Sequence, residues 1–275
     1  MNGHTEIEHN DVQHDETRLH FHRAGSGEPL VLLHGMGESH IGWRPVMDAL
    51  AEEYDVIAID LPGFGRSPVL PVYVPPTAAN LAAAVESALN DLGIEQFHVA
   101  GYSLGARIAI HLAGTPRVKS AIAIGPDGLG TPFERVGGYL GLLAGRGVAM
   151  ALAPLAGQLS QTGVGRMVFF SGNRSRPWQL EQPDAKQLLT DFASSPAYDA
   201  ANWAALFDVP LQLFSVTQPI LFLQGTADPI TAQAMRYLPF IPHAQFRWLP
   251  GANHVPISDD PEVLAAYMLE FLQKS

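Results

Sequence analysis

The five residues Gly101-Tyr102-Ser103-Leu104-Gly105 constrain this chain more than any others. An apolar run over 97–100 leads into them, and Leu104, Ile108 and Leu112 then fall on one helical face. The pattern predicts strand, sharp turn, helix. Glycine on both sides of the serine lets the chain reverse so tightly that the serine takes a strained backbone conformation, its hydroxyl above the sheet edge. The turn also aims the first N–H groups of the helix, that of Leu104 above all, at the place where an oxyanion would form beside Ser103. An ordinary Gly-rich turn satisfies the same short pattern, so the surrounding sequence decides between the two readings.

Upstream, residues 29–33 form an unbroken apolar run ending in His34-Gly35-Met36-Gly37, as suits a strand buried on both faces of a parallel sheet. Glycines just past a strand end allow close backbone approach to a ligand, which makes the Met36 N–H a second oxyanion donor opposite that of Leu104. His34, at the strand end before this loop, reads as structural and not as a base. Helical spacing through Val46, Met47 and Leu50 leads to a buried strand over 55–60 and then to turn-rich residues 61–68. Thr77 is placed to cap an Ala-rich helix that Gly93 closes. Further strands are predicted at 118–124, 219–225 and 245–249, with a final helix over 261–273. This alternation implies right-handed crossovers and a parallel α/β sheet, with its site at the carboxyl ends of the strands.

Composition narrows the partners. A net charge of −11 repels phosphate backbones and anionic lipid, so a small-molecule substrate is expected, with no nucleic acid and no membrane insertion. The chain has no cysteine, which excludes disulfides, thiolate metal sites and a cysteine nucleophile. The first residues show neither a basic nor an apolar leader segment, and a cytoplasmic location is expected. Histidines at 4, 9, 14, 20 and 22 raise a metal site, but His20 and His22 flank Phe21 in an alternating stretch that reads as an early strand, and no metal is expected.

The motifs at 34–37, at 60–67 (Asp-Leu-Pro-Gly-Phe-Gly-Arg-Ser) and at 101–105, in that order and at these spacings, resemble the α/β-hydrolase superfamily. They are similar to the branch of cofactor-free serine esterases and carbon–carbon bond hydrolases that carry a helical cap. The resemblance implies an α/β-hydrolase fold with a mostly parallel sheet of the eight-stranded type and flanking helices. It also implies Ser103 as nucleophile, Asp228 as the acid that orients the imidazole, and His254 as the general base. Asp127 is a rival acid, because some members carry theirs after the preceding strand; Asp228 lies on the better motif match. Epoxide hydrolases and haloalkane dehalogenases put aspartate where Ser103 stands, and the epoxide branch puts proline where Gly37 stands, which disfavours both chemistries. Val255 stands where carbon–carbon hydrolases often carry tryptophan. Menaquinone-pathway lyases share a similar Gly-Tyr-Ser-Leu-Gly turn. The expected activity is hydrolysis of a small, largely apolar ester through an acyl-enzyme on Ser103, without cofactor. A carbon–carbon hydrolase or lyase, or a non-enzymatic small-ligand receptor, stays open as the alternative.

The strand pattern stops after residue 126 and resumes at 217, so residues 1–126 and 217–275 are assigned to the core and 127–216 to a helical cap. Residues 137–157 are apolar and long enough to raise a membrane helix, against which Arg146 and Pro154 argue. This segment is expected to face the pocket, with the more polar stretch from 173 onward forming outer cap helices. Arg174 and Arg176 either hold a substrate carboxylate or belong to a solvated face, and the solvated face is expected.

Overall fold

The computed structural model describes residues 18–210 and 213–275; the histidines at 4, 9 and 14 lie outside them. Its centre is a sheet of β1 (Phe21–Gly25), β2 (Glu28–Leu33), β3 (Tyr54–Ile59), β4 (Phe97–Tyr102), β5 (Val118–Ile124), β6 (Ile220–Gly225) and β7 (Gln245–Leu249). The spatial order is β1-β3-β2-β4-β5-β6-β7, with β1 antiparallel to β3 and every other pairing parallel. Seven strands are present among the described residues, where the resemblance implied the eight-stranded type.

The unbroken apolar runs become strands because they bury both faces. Val31, Leu33, Ile57, Val99 and Phe222 point to the layer formed with α2 (Ala78–Asp91) and α3 (Leu104–Leu112). Leu30, Leu32, Val56, Ala100 and Leu221 point the other way, to the layer of α1 (Arg44–Ala51) and the C-terminal helix (Pro261–Leu272). Successive residues thus alternate between two cores, as the pleat requires. The Thr77 hydroxyl accepts from Asn80 N–H, which is the expected cap of α2.

Between β5 and β6 the chain forms α4 (Pro132–Leu152), α5 (Ala156–Leu159), α6 (Gly163–Phe170), α7 (Gln182–Ser194) and α8 (Tyr198–Ala205). Two expectations for this insertion are corrected. The apolar segment does not turn its apolar face inward: of α4 only Arg146 and Ala149 are buried, while Phe133, Val136, Leu140, Leu143, Val148 and Met150 are exposed. The polar stretch is the inner one, since α7 buries Ala185, Leu188, Leu189 and Ala193. A methyl on Gly37 would meet Phe192 of α7, which places that helix directly over the loop after β2. Residues 132–159 are long and apolar enough to cross a membrane by length and composition alone. Here the segment packs on α7 and α8, and Arg146 donates to the carbonyls of Phe192 and Ser195, capping the carboxyl end of α7.

Candidate active site

Ser103 lies between the last residue of β4 and the first of α3, with φ +55° and ψ −120°. Among the described residues it is the one non-glycine at positive φ. Such a conformation persists only where its surroundings enforce it. A β-carbon on Gly101 would sit 2.1 Å from the Gly105 carbonyl oxygen, and one on Gly105 would sit 2.2 Å from that of Leu33. Only glycine fits at either position, which is the physical content of the Gly-x-Ser-x-Gly spacing. Ser103 N–H donates to Ile124 O (2.9 Å), fastening the turn to the end of β5.

The loop after β2 comes up beside the turn. Glu38 N–H donates to Gly35 O (3.2 Å) and Gly37 has φ +79°, so residues 35–38 form a tight reversal that carries Met36. A methyl on Gly35 would lie 3.2 Å from Ser103 Cβ, so this loop and the serine are in contact. His34 is fully buried, with Nδ1 on Gly35 O (2.7 Å) and Nε2 accepting from Leu61 N–H (2.9 Å). Both ring nitrogens are thereby engaged in holding backbone, and burial pushes its pKa down.

Asp228 follows β6 and His254 follows β7, and their side chains are 1% and 6% exposed. His254 Nδ1 is 3.0 Å from Asp228 Oδ2, which leaves Nε2 as the outward nitrogen. The carboxylate also accepts from Ile230 N–H (2.7 Å), Thr231 N–H (3.0 Å) and Gln224 Nε2 (2.8 Å). Burial raises the Asp228 carboxyl, but the hydrogen bond and charge of His254 and the two loop N–H groups outweigh it and hold the pKa below its ordinary value. Gly125 makes the connection to Ser103. It directly follows Ile124, the partner of the serine, and a methyl on it would lie 3.3 Å from His254 Nδ1 and 3.5 Å from Asp228 Oδ2.

The rival acid is differently engaged. Asp127 Oδ2 is 3.5 Å from Arg107 Nη1, and its backbone oxygen accepts from the Tyr237 hydroxyl. A second Ser-His-Glu arrangement, Ser120 Oγ to His98 Nδ1 (2.8 Å) and His98 Nε2 to Glu28 (3.0 Å), stands at the opposite ends of β4 and β5. Ser120 is completely buried there, so no substrate reaches it.

Sequence reasoning missed the groups around these residues. Arg174, expected on a solvated face, is 2% exposed, and its Nη2 donates to both Glu38 oxygens (2.8 and 2.9 Å). The Tyr102 hydroxyl donates to the same carboxylate (2.6 Å). Asn173 O accepts from Val255 N–H (2.8 Å), and Asp259 Oδ1 accepts from the N–H groups of Ser175 and Arg176. One short stretch of the insertion, 173–176, therefore touches Glu38 and Val255 directly and, through the Glu38 carboxylate, reaches Tyr102 beside Ser103. Arg176 is half-exposed and donates to Asp259 O. Glu38 and Arg174 are 136 residues apart, and no local pattern pairs them.

A mostly parallel sheet with a strained serine at the end of a central strand, and a buried acid–imidazole pair on the loops after β6 and β7, defines a hydrolase-type α/β enzyme. Residues 28–261 match the profile of the alpha/beta hydrolase fold, and the chain belongs to that family. It is 30% identical over 254 residues to a pimeloyl-[acyl-carrier protein] methyl ester esterase from Aeromonas hydrophila subsp. hydrophila, covering 87% of this chain and 93% of that protein. It is 39% identical over 112 residues to a soluble epoxide hydrolase from Corynebacterium sp., a match over 40% of this chain that spans 37% of that protein's length. Among solved structures, a thermophilic esterase from Thermogutta terrifontis superposes with a TM-score of 0.72 at 24% identity, over 93% of each chain.

Proposed function

We propose that the protein is a cofactor-independent serine hydrolase that cleaves a small, largely apolar ester. Ser103 Oγ attacks the carbonyl carbon, His254 Nε2 takes its proton, and Asp228 holds the imidazole in the required tautomer. The N–H groups of Met36 and Leu104 receive the oxyanion. Its collapse breaks the bond to the alcohol, which leaves with the proton from His254. Water, deprotonated by His254, then releases the acid as that proton returns to Ser103. The observation that carries this reading is the conformation of Ser103, φ +55° at the amino end of α3 and in contact with the Gly35 loop. Strain of this kind is a cost to the fold that a nucleophile explains and an ordinary turn does not.

Ester chemistry is favoured over cleavage of an acidic diketone by what the insertion does with its arginines. Arg146 is bonded to Phe192 O and Ser195 O, Arg166 to Ser160 O and Trp178 O, and Arg174 to Glu38. Each of these three already donates within the protein, and Met36, Phe192 and Leu142, which pack against the core, are apolar. The Aeromonas relative is named for methyl ester cleavage, which points the same way. The test is turnover of p-nitrophenyl esters of increasing acyl length beside a vinylogous diketone acid. Ester cleavage with fluorophosphonate labelling at Ser103 is the expected result. Turnover of the diketone alone would assign carbon–carbon cleavage, and binding without any turnover a receptor.

A further inference from the structure

Three segments far apart in sequence bring metal-ligating side chains together away from the serine. His20 precedes β1, His40 opens the turn after the Gly35 loop, and Asp60 directly follows β3. One ligand atom from each lies within 4.8 Å of the others. His20 Nδ1 is 2.9 Å from Asp60 Oδ2, and His40 Nδ1 is 2.9 Å from Asp60 Oδ1. The same oxygens accept from the N–H groups of His40 (2.7 Å) and Arg66 (3.0 Å). The Asp60 side chain is completely buried, and among the described residues it is paired with no lysine or arginine. The ring of His22 stacks on that of His40, with centroids 5.9 Å apart.

We propose that His20, His40 and Asp60 bind one divalent transition-metal ion of the zinc, cobalt and nickel class. Two imidazole nitrogens and a carboxylate are the donor set such ions take. An ion about 2.1 Å from an imidazole nitrogen and from a carboxylate oxygen, with those atoms 2.9 Å apart, subtends close to 90°. Both nitrogen–oxygen separations therefore suit it as they stand. Each imidazole frees Nδ1 by moving its proton to Nε2, so the ligands change tautomer without changing charge. The two rings are 26% and 16% exposed, which leaves water access for those protons and for the remaining coordination positions. The ion would replace two N–H dipoles with a full charge against a buried carboxylate. It would also tie the start of β1, the loop that carries Met36 and the end of β3 into one unit.

The test uses the full chain with His4, His9 and His14 changed to asparagine, stripped by chelation and titrated with Co2+ and Zn2+. One equivalent should bind, with a Co2+ visible spectrum of imidazole ligation and a Tm rise of about 3 °C or more at saturation. Zinc-edge X-ray absorption on this same protein, which needs no further variant to fold, should show two imidazoles. His20→Ala and His40→Ala should each weaken binding about tenfold or more, since losing even an outer partner of a metal ligand costs that much. No saturable binding, a zinc shell without imidazole, or unchanged affinity in both variants would overturn the proposal.

Discussion

Arg174→Met removes a cation from a place where almost no water can replace it. The Arg174 and Glu38 side chains are 1% and 7% exposed, so solvent screens their attraction little. In the variant, among the described residues, Glu38 keeps the Tyr102 hydroxyl alone, at 2.6 Å. Removing one partner of a buried pair costs about 3–5 kcal/mol, because the other charge is left uncompensated. That is a large fraction of the roughly 5–15 kcal/mol by which a domain is stable. Glu38→Gln should also destabilise, by leaving the guanidinium without its counter-charge. The double variant buries no ion at this point, so its loss should be smaller than the sum of the single losses by about 1–3 kcal/mol, as expected for residues in direct contact. Urea unfolding at neutral pH, followed by circular dichroism, reads all four corners of the cycle. A cost below about 1 kcal/mol for Arg174→Met, or additivity within roughly 0.5 kcal/mol, would show that this pair does not hold the insertion to the core. Because Glu38 closes the turn carrying Met36 and Tyr102 precedes Ser103, kcat should fall in the single variants more than KM rises.

Four other outcomes are expected. Ser103→Ala should lower turnover on the order of a thousandfold or more with the fold intact, and a fluorophosphonate adduct found by mass spectrometry at any other residue would displace the assignment. Asp228→Asn should cost roughly a thousandfold in kcat and Asp127→Asn far less, since the first faces His254 and the second Arg107; reversed magnitudes would move the acid. Gly105→Ala drives a methyl to 2.2 Å from Leu33 O and should destabilise by about 3 kcal/mol in denaturant titration, with wild-type stability counting against the packing described. Burial holds the pKa values of His34 and His98 below normal. Their contribution to stability is therefore complete above the unfolded value of about 6.5 and is lost as pH falls below it. The urea midpoint should drop between pH 7.5 and 5.5, and a flat profile would contradict this.

What the sequence disclosed, and what it hid, follows from how local each signal is. Strand β5 carries the predicted bounds because a run buried on both faces needs no partner to be recognised, and β7 carries them although Leu249 is its one buried residue. The serine turn was equally legible from its own spacing, since Gly101 is required by the Gly105 carbonyl within the turn, whereas the demand on Gly105 comes from the distant Leu33 carbonyl. The strand pattern set Asp228 and His254 on loops past strand ends, and their roles came from the resemblance; Thr231, three residues after the acid and bonded to it through N–H, is a further local turn signal. The groups that join distant segments left no trace. Glu38 with Arg174, and His20 with His40 and Asp60, are pairings made by topology.

The insertion shows why hydropathy alone misplaced its faces. Apolar content predicts burial only when the polar residues of a helix have nowhere inside to go. Helix α4 inverts that condition, because its inward stripe is Arg135, Tyr139, Leu142, Arg146 and Ala149, spaced three and four apart. Arg146 is drawn inward by the free carbonyls at the end of α7 and by the Tyr198 ring, 4.5 Å from its guanidinium carbon. Asn202 reaches the same helix, donating to Tyr139 O, and the Tyr198 hydroxyl donates to Leu142 O. A helix register fixed by these polar bonds turns Phe133, Leu140 and Val148 outward whatever their hydropathy. The charge that argued against a membrane helix in the sequence is thus the same charge that decides which face of α4 meets the protein.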